Sequence, residues 1–425
     1  MLRPFRKNHK RRFIVFFIAA VLAAGSAGCG KNPNPAPVKT TASVGAASQM
    51  TKSSGTARAV SQTAENGTEE IDAESLKPQE IELTYNVGYN PVSLSCKDYI
   101  LKNVQNGKTT KRADMQGACL DSSGENIYYV YVNWEDVKMA DISHGYAVDR
   151  KNIKTGSTEQ IYRYENKNCS TVQVSYIGCA GNCLLWDEEA NDGESLVKFD
   201  LVKKKRALLG TDQGFLFSLP GFSVVNNQFY WFGGLAGDGD TNGGGSFRLY
   251  CYNPATGHAE RFKTEGSLYL DSPYDSPPGS GTSVNYCTKD GENYYITEHI
   301  INSPKKHRIK TGSTKISFYN ADGNFAAWSD EAKNLYFLNL QTCELYHYND
   351  NKKSGSVHGL LFHNGKIYFI LGKSLVTVDF KSKKIVNQYL FDPSDDYDWL
   401  SEFKGGLYIS GRNKKEQNVM KVFAL

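Results

Sequence analysis

The chain lacks a long apolar run. Its main uncharged stretch, Phe13 to Ala24, is too short for a comfortable membrane span, which takes roughly 20 apolar residues. It also lacks a charge excess. The 49 Lys+Arg face 45 Asp+Glu, and six of the basic residues stand in the first 28 positions with no acidic partner. Without that segment 43 basic residues face 45 acidic ones, a net of −2. A nearly neutral chain has no electrostatic footprint for nucleic acid, which is excluded as a partner. No Ser stands in a Gly-x-Ser-x-Gly elbow, and the histidines are scattered singly. Cys179 and Cys183 have no His at ligand spacing, which argues against zinc. Residues 30–80 contain no Phe, Trp or Tyr. Such a segment cannot bury enough apolar surface to offset its chain entropy.

What is present begins at the N-terminus. Arg3, Arg6, Lys7, Lys10, Arg11 and Arg12 precede the apolar run, and Gly25-Ser26-Ala27-Gly28 precedes Cys29. A basic head, a short apolar core and small residues form a secretory signal. The Ala-Gly-Cys ending resembles the lipobox of bacterial lipoproteins, with Ser26 where that family has Leu. The resemblance implies cleavage before Cys29, diacylation (palmitate or a similar chain) of its thiol, and a membrane anchor outside the cytoplasm. Three regions are expected: a signal over 1–28, a lipidated Cys and disordered linker over 29–80, and a folded domain over 81–425. As a random coil the linker would span roughly 40 Å. Its acidic stretch Glu69 to Glu74 is expected to be solvated. Eight cysteines follow Cys29. Export would permit disulfides, but eight cysteines allow 105 pairings and spacing does not choose among them.

The folded part is punctuated by Gly, Asn, Asp and Ser around short aromatic strands, the profile of an all-β chain. One pattern, a Gly or Asn turn followed by an aromatic strand, starts at Asn126, Asn182, Asn227, Asn293, Asn324, Gly365 and Gly406, at intervals of 31 to 66 residues. The hexapeptide at Ile153–Thr158 recurs at Ile309–Thr314. Units of roughly 40–50 residues with about four strands each fit a β-propeller. Seven four-stranded blades are expected, with six or eight as alternatives. Radial packing would bury the faces that a lone four-stranded sheet leaves bare. The last unit ends on Val419–Leu425, a third strand without a fourth. Ile81–Val87 or Tyr99–Val104 could complete it and close the ring. The segment Ala326–Asp330 with Asn334–Leu340 resembles the propeller repeats of bacterial surface lipoproteins, including TolB-like and lipoprotein-receptor-like families. That resemblance implies a fold and a location but no catalytic residue.

Candidate sites are local. Asp238, Asp240 and Asn242 stand at alternate positions before Gly243, with Ser246 further on. Oxygen ligands at positions one, three and five, followed by Gly, match the first half of a calcium loop. Leu249 stands where an EF-hand has its bidentate Glu. The segment resembles locally the hairpin loops of integrin α-chain propellers, which implies a weak Ca2+ site. Trp134, the pair Tyr274 and Asp275, and the run Asp395, Asp396, Tyr397 and Trp399 mix aromatics with carboxylates. Such groups stack on sugars or anchor protein contacts. The acidic run Asp187–Glu194 is expected to be a solvated turn. Together these readings point to a tethered binding or scaffold module for an envelope glycan or protein. The alternative is a surface carbohydrate-active hydrolase or lyase with carboxylates at the propeller centre.

Overall fold

In the computed structural model, the described residues are 62–63, 67–80, 92–102 and most of 113–425. Thr56–Leu425 form one compact unit. It is an all-β propeller of seven blades. Blade 1 runs through Ala113–Leu120, Asn126–Asn133, Gly145–Asn152 and Thr158–Glu165 from the inside outward, and blade 2 through Gln173–Ala180, Cys183–Ala190, Gly193–Asp200 and Lys205–Leu208. In blade 3 a divided first strand, Gly214–Ser218 and Ser223–Val225, pairs with Gln228–Leu235, followed by Arg248–Asn253 and His258–Phe262. Blade 4 also has a divided first strand, Ser267–Leu268 and Gly279–Ser280, before Ser283–Asp290, Asn293–Ile300 and Lys306–Gly312. Blade 5 is Ile316–Ala321, Phe325–Asp330, Leu335–Asn339 and Glu344–Tyr348. Blade 6 is Val357–His363, Lys366–Leu371, Ser374–Asp379 and Lys384–Leu390. Blade 7 has Asp396–Phe403, Gly406–Arg412 and Asn418–Ala424, and takes its fourth strand, Cys96–Ile100, from the N-terminal side.

The core shows why these strands form a ring. It divides into seven apolar clusters, one between each pair of consecutive blades. The period-2 alternation of a strand supplies both faces of a blade. Tyr128, Val130 and Val132 face blade 2, while Ile127, Tyr129 and Tyr131 meet Met420 of blade 7. This last cluster joins the two ends of the chain's β-structure. The aromatic strands recognised in the sequence are the second strands of six blades. The exception is Asn293, which starts the third strand of blade 4. The second strand there is Ser283–Asp290, and this displacement explains the uneven spacing around Asn293. Of the two proposed closing segments, the observed strand overlaps Tyr99–Val104; residues 81–91 lie outside the described residues.

Residues 68–80, expected to belong to the linker, carry strands that pair with the propeller. Thr68–Asp72 pairs in parallel with the fourth strand of blade 4, Gln79–Glu80 with that of blade 5, and Val92–Ser93 with that of blade 6. The strands Thr68–Asp72, Gln79–Glu80, Val92–Ser93 and Cys96–Ile100 therefore act as a strap on the outer edges of blades 4 to 7. Its one large apolar anchor in blade 4 is Ile71, 2% exposed. Ion pairs add to the main-chain pairing. Glu70 meets Arg308 at 3.1 Å and Glu74 meets Lys310 at 2.7 Å. His307 lies 3.8 Å from Glu69, and His347 bonds Glu80 at 2.7 Å. The carboxylates of Glu69, Glu70 and Glu74 thus stay nearly half exposed, as the solvated reading expects, while meeting cations from a strand far along the chain. The run Asp187–Glu194 differs from expectation. Asp187 and Glu188 are buried in a second strand, where Glu188 binds Arg206 at 2.5 Å and accepts the hydroxyl of buried Tyr146.

Candidate functional site

Antiparallel order sorts the connections onto two faces. One face carries the turns between first and second strands and between third and fourth strands, none longer than five residues. Several are self-satisfied. Asn226-Asn227 and Asn364-Gly365 hold positive φ, the conformation of a two-residue hairpin turn. Asp322 Oδ1 accepts the N–H groups of Asn324 and Phe325 at 3.1 and 2.9 Å. The opposite face carries second-to-third turns and blade-to-blade connections. The strand ends that bracket 134–144, 236–247 and 349–356 all lie there. A small hairpin, Glu135–Val137 with Ala140–Ile142, extends the first of these segments.

At the tight-turn face one turn bridges the inner ends of several blades. The turn Gly279–Ser283 of blade 4 reaches four other blades. Ser223 of blade 3 donates its hydroxyl to the carbonyl of Pro277 just before this turn. Ser283 Oγ donates to the carbonyl of Ala321 in blade 5, and Ser280 Oγ to that of Phe362 in blade 6, both at 3.1 Å. The Gly281 N–H donates to Glu402 Oε1 of blade 7 at 3.3 Å. Gly281 has φ +54 and open space around it, so its backbone can turn here without strain. Gly279 packs so closely that an added Cβ would stand 2.5 Å from Val225.

Three carboxylates lie near one another at this face. Burial pushes Glu402 up to about 7, with Asp322 adding to the shift and the Gly281 N–H opposing it. Asp322 is also raised, first by burial, while main-chain N–H groups hold it down and Glu298 adds to the rise. Glu298 is fully buried and bonds His307 Nδ1 at 2.7 Å. That hydrogen bond is the largest cause raising His307. Nearby, Asn285 Nδ2 donates to Asn320 Oδ1 at 2.8 Å, and Asn320 Nδ2 donates to the carbonyl of Leu360 at 3.0 Å. Of the carboxylates' hydrogen bonds only that of Glu402 crosses blades, from blade 7 to blade 4; those of Asp322 and Glu298 stay within blades 5 and 4. Among the described residues no cluster of three His, Cys, Asp or Glu side chains could hold a metal ion.

The residues singled out in the sequence are distributed as follows. Cys29, Trp134, Tyr274 and Asp275 lie outside the described residues, as do Asp238, Asp240, Asn242 and Ser246 of the calcium loop. Asp396 and Trp399 fall in the first strand of blade 7, with their side chains outside the described set. Asp395 and Tyr397 are described, and they engage each other: Tyr397 donates to Asp395 Oδ2 at 2.6 Å. Asp395 Oδ1 also accepts the N–H of Lys414 at 3.1 Å, and its carbonyl accepts Lys373 Nζ at 2.9 Å. The pair therefore braces the entry into blade 7. Sequence reading did not single out Glu402, Glu298 or the Gly279–Ser283 turn. Their one sequence signal is the run of Gly, Ser and Thr at 279–283, which marks a tight turn but not its reach to other blades.

No known protein family and no curated protein matches the chain. Solved structures resemble it in shape. The AfRom2 CNH domain gives a TM-score of 0.44 at 8% identity, over 77% of this chain and 99% of that one. The acylaminoacyl peptidase of Pyrococcus horikoshii gives 0.47 at 12% identity, over 71% of this chain and 50% of that one. BamB from Moraxella catarrhalis gives 0.40 at 11% identity, over 75% of this chain and 85% of that one. The blade assignment rests on the strand pairing itself.

Proposed function

We propose that this chain is a lipid-anchored, extracytoplasmic binding or scaffold module. It presents the long-connection face of its propeller to an envelope glycan or protein. The observation that carries this reading is the asymmetry between the two faces. Tight turns, with the bridging turn Gly279–Ser283 among them, occupy one face, while the extended connections collect at the other. Rigid strands displaying variable connections are a common way to build a recognition surface. The signal-like segment and Cys29 support the location, and no described helix is long and apolar enough to cross a membrane.

The test exchanges connections on the two faces. Replacing residues 134–144 by a short Gly-Ser turn should weaken binding to separated envelope glycan or envelope protein fractions by at least about tenfold. The same exchange at 301–305, on the tight face, should leave binding unchanged. Equal effects from both exchanges would remove the proposal. In the same cells, Cys29→Ala should move the protein from the membrane fraction to the soluble fraction. The hydrolase or lyase reading draws on one observation, the raised carboxyl of Glu402 beside Asp322. Glycan cleavage abolished by Glu402→Gln would favour it.

A further inference from the structure

The two cysteines closest in sequence apart from the turns, Cys179 and Cys183, lie on opposite faces of blade 2. Cys179 packs toward blade 1, and Cys183 belongs to the cluster shared with blade 3. A blade separates them, so they are poorly placed to pair. A different pair is brought together. Cys119 is in the first strand of blade 1 and Cys179 in the first strand of blade 2. Both point into the same interface cluster, 4% and 3% exposed. The two strands touch here without intervening side chains. A Cβ on Gly117 would stand 3.2 Å from the backbone nitrogen of Ile177. Cys119 and Cys179 each follow that contact by two residues, so strand alternation returns both side chains to the same interface. Burial pushes the phenol of Tyr128 up, and both sulfurs lie near enough to add to its shift. Both residues are thiols in this structure.

We propose that Cys119 and Cys179 form an inter-blade disulfide when the chain folds in an oxidising compartment. The oxidant is a small-molecule or protein disulfide, acting by thiol–disulfide exchange. One cysteine thiolate attacks the oxidant's sulfur, forming a mixed disulfide and expelling one thiolate. The second cysteine thiolate then attacks the chain-side sulfur and expels the other. The two cysteines lose two protons and two electrons, and the oxidant becomes two thiols. Burial raises the pKa of both cysteines in the finished ring. Exchange needs the thiolate, so the bond closes before the blades exclude the oxidant. It would staple blade 1 to blade 2 across 60 residues of chain.

The test refolds the full chain from reduced, denatured protein in a glutathione and glutathione disulfide buffer. Remaining thiols are alkylated in denaturant, and the protein is digested without reductant. A peptide linking Cys119 to Cys179 is expected. Reduction should lower the melting temperature by about 5 °C. The Cys119→Ala/Cys179→Ala double variant should show no such change. A natively folded product in which both positions are alkylated, or in which either is linked to another cysteine, overturns the proposal. The peptide map of the unmutated chain decides the matter even if the variant does not fold.

Discussion

Glu402 illustrates how one residue can couple the ring to pH. Its carboxyl sits at the tight-turn face, accepts the Gly281 N–H, and is raised to about 7 by burial. A raised carboxyl favours the folded state below its unfolded value of 4.5, and that advantage is lost as pH climbs through about 7. The shift corresponds to about 3 kcal/mol between those limits. Glu402→Gln keeps an acceptor for Gly281 and cannot ionise. Urea unfolding at pH 5 and pH 8 should therefore show the variant gaining on the parent as pH rises. Parallel pH profiles would show that this carboxyl is not perturbed in the folded chain. His307 adds a slope of the same sign, since its raised value gives stability that is lost as pH rises through it.

At the scale of elements, the strap shows how a polar segment can become a strand. Thr68–Asp72 has one apolar anchor, Ile71, and its neighbours pair with Arg308, Lys310 and His307. Arg308 is itself held over the ring of Tyr295, 3.7 Å from its centroid. Each exposed pair is worth little alone, so the strap depends on main-chain pairing as much as on charge. Removing residues 56–80 would bare the outer edges of Lys306–Gly312 and Glu344–Tyr348. Exposed edge strands template further pairing. Light scattering of the truncated chain should reveal association that the intact chain does not show. A monomer of unchanged melting temperature would mean that the strap is dispensable. The repeated hexapeptide gives the same lesson about context. At Ile153–Thr158 it forms the turn after a third strand, whereas Ile309–Gly312 lies within a fourth strand.

For the molecule as a whole, closure is the controlling feature. Cys96–Ile100 pairs with Asn418–Ala424, and the cluster of Tyr99, Met420 and Tyr129 joins blade 7 to blade 1. Lys421 is 4% exposed, and its ammonium bonds both oxygens of Asp98 at 2.9 and 2.8 Å. Asp98→Ala would leave that cation without its carboxylate. The expected loss is about 1–2 kcal/mol, kept below the value for a fully buried pair because Asp98 is half exposed. Because every blade shields its neighbours, calorimetry should show one transition, moved down as a unit. A separate early transition would show that blade 7 melts by itself.

Much of this design is legible without coordinates. Aromatic strands at near-regular intervals, turn residues between them and an unmatched last strand specify an all-β ring, because period-2 burial and turn chemistry are local properties. The candidate site is much less legible. Asp395 and Tyr397 stand out in the sequence as a recognition motif, yet they bond each other. Glu402 stands out in no motif, yet it meets a turn from another blade. Strands, turns and the likeness among blades can be read from the chain alone, since each depends on residues a few positions apart. Which carboxylate meets which cation, where the strap lies and which cysteines share an interface are settled by the fold. Those pairings depend on how the ring closes, which brings together residues tens to hundreds of positions apart.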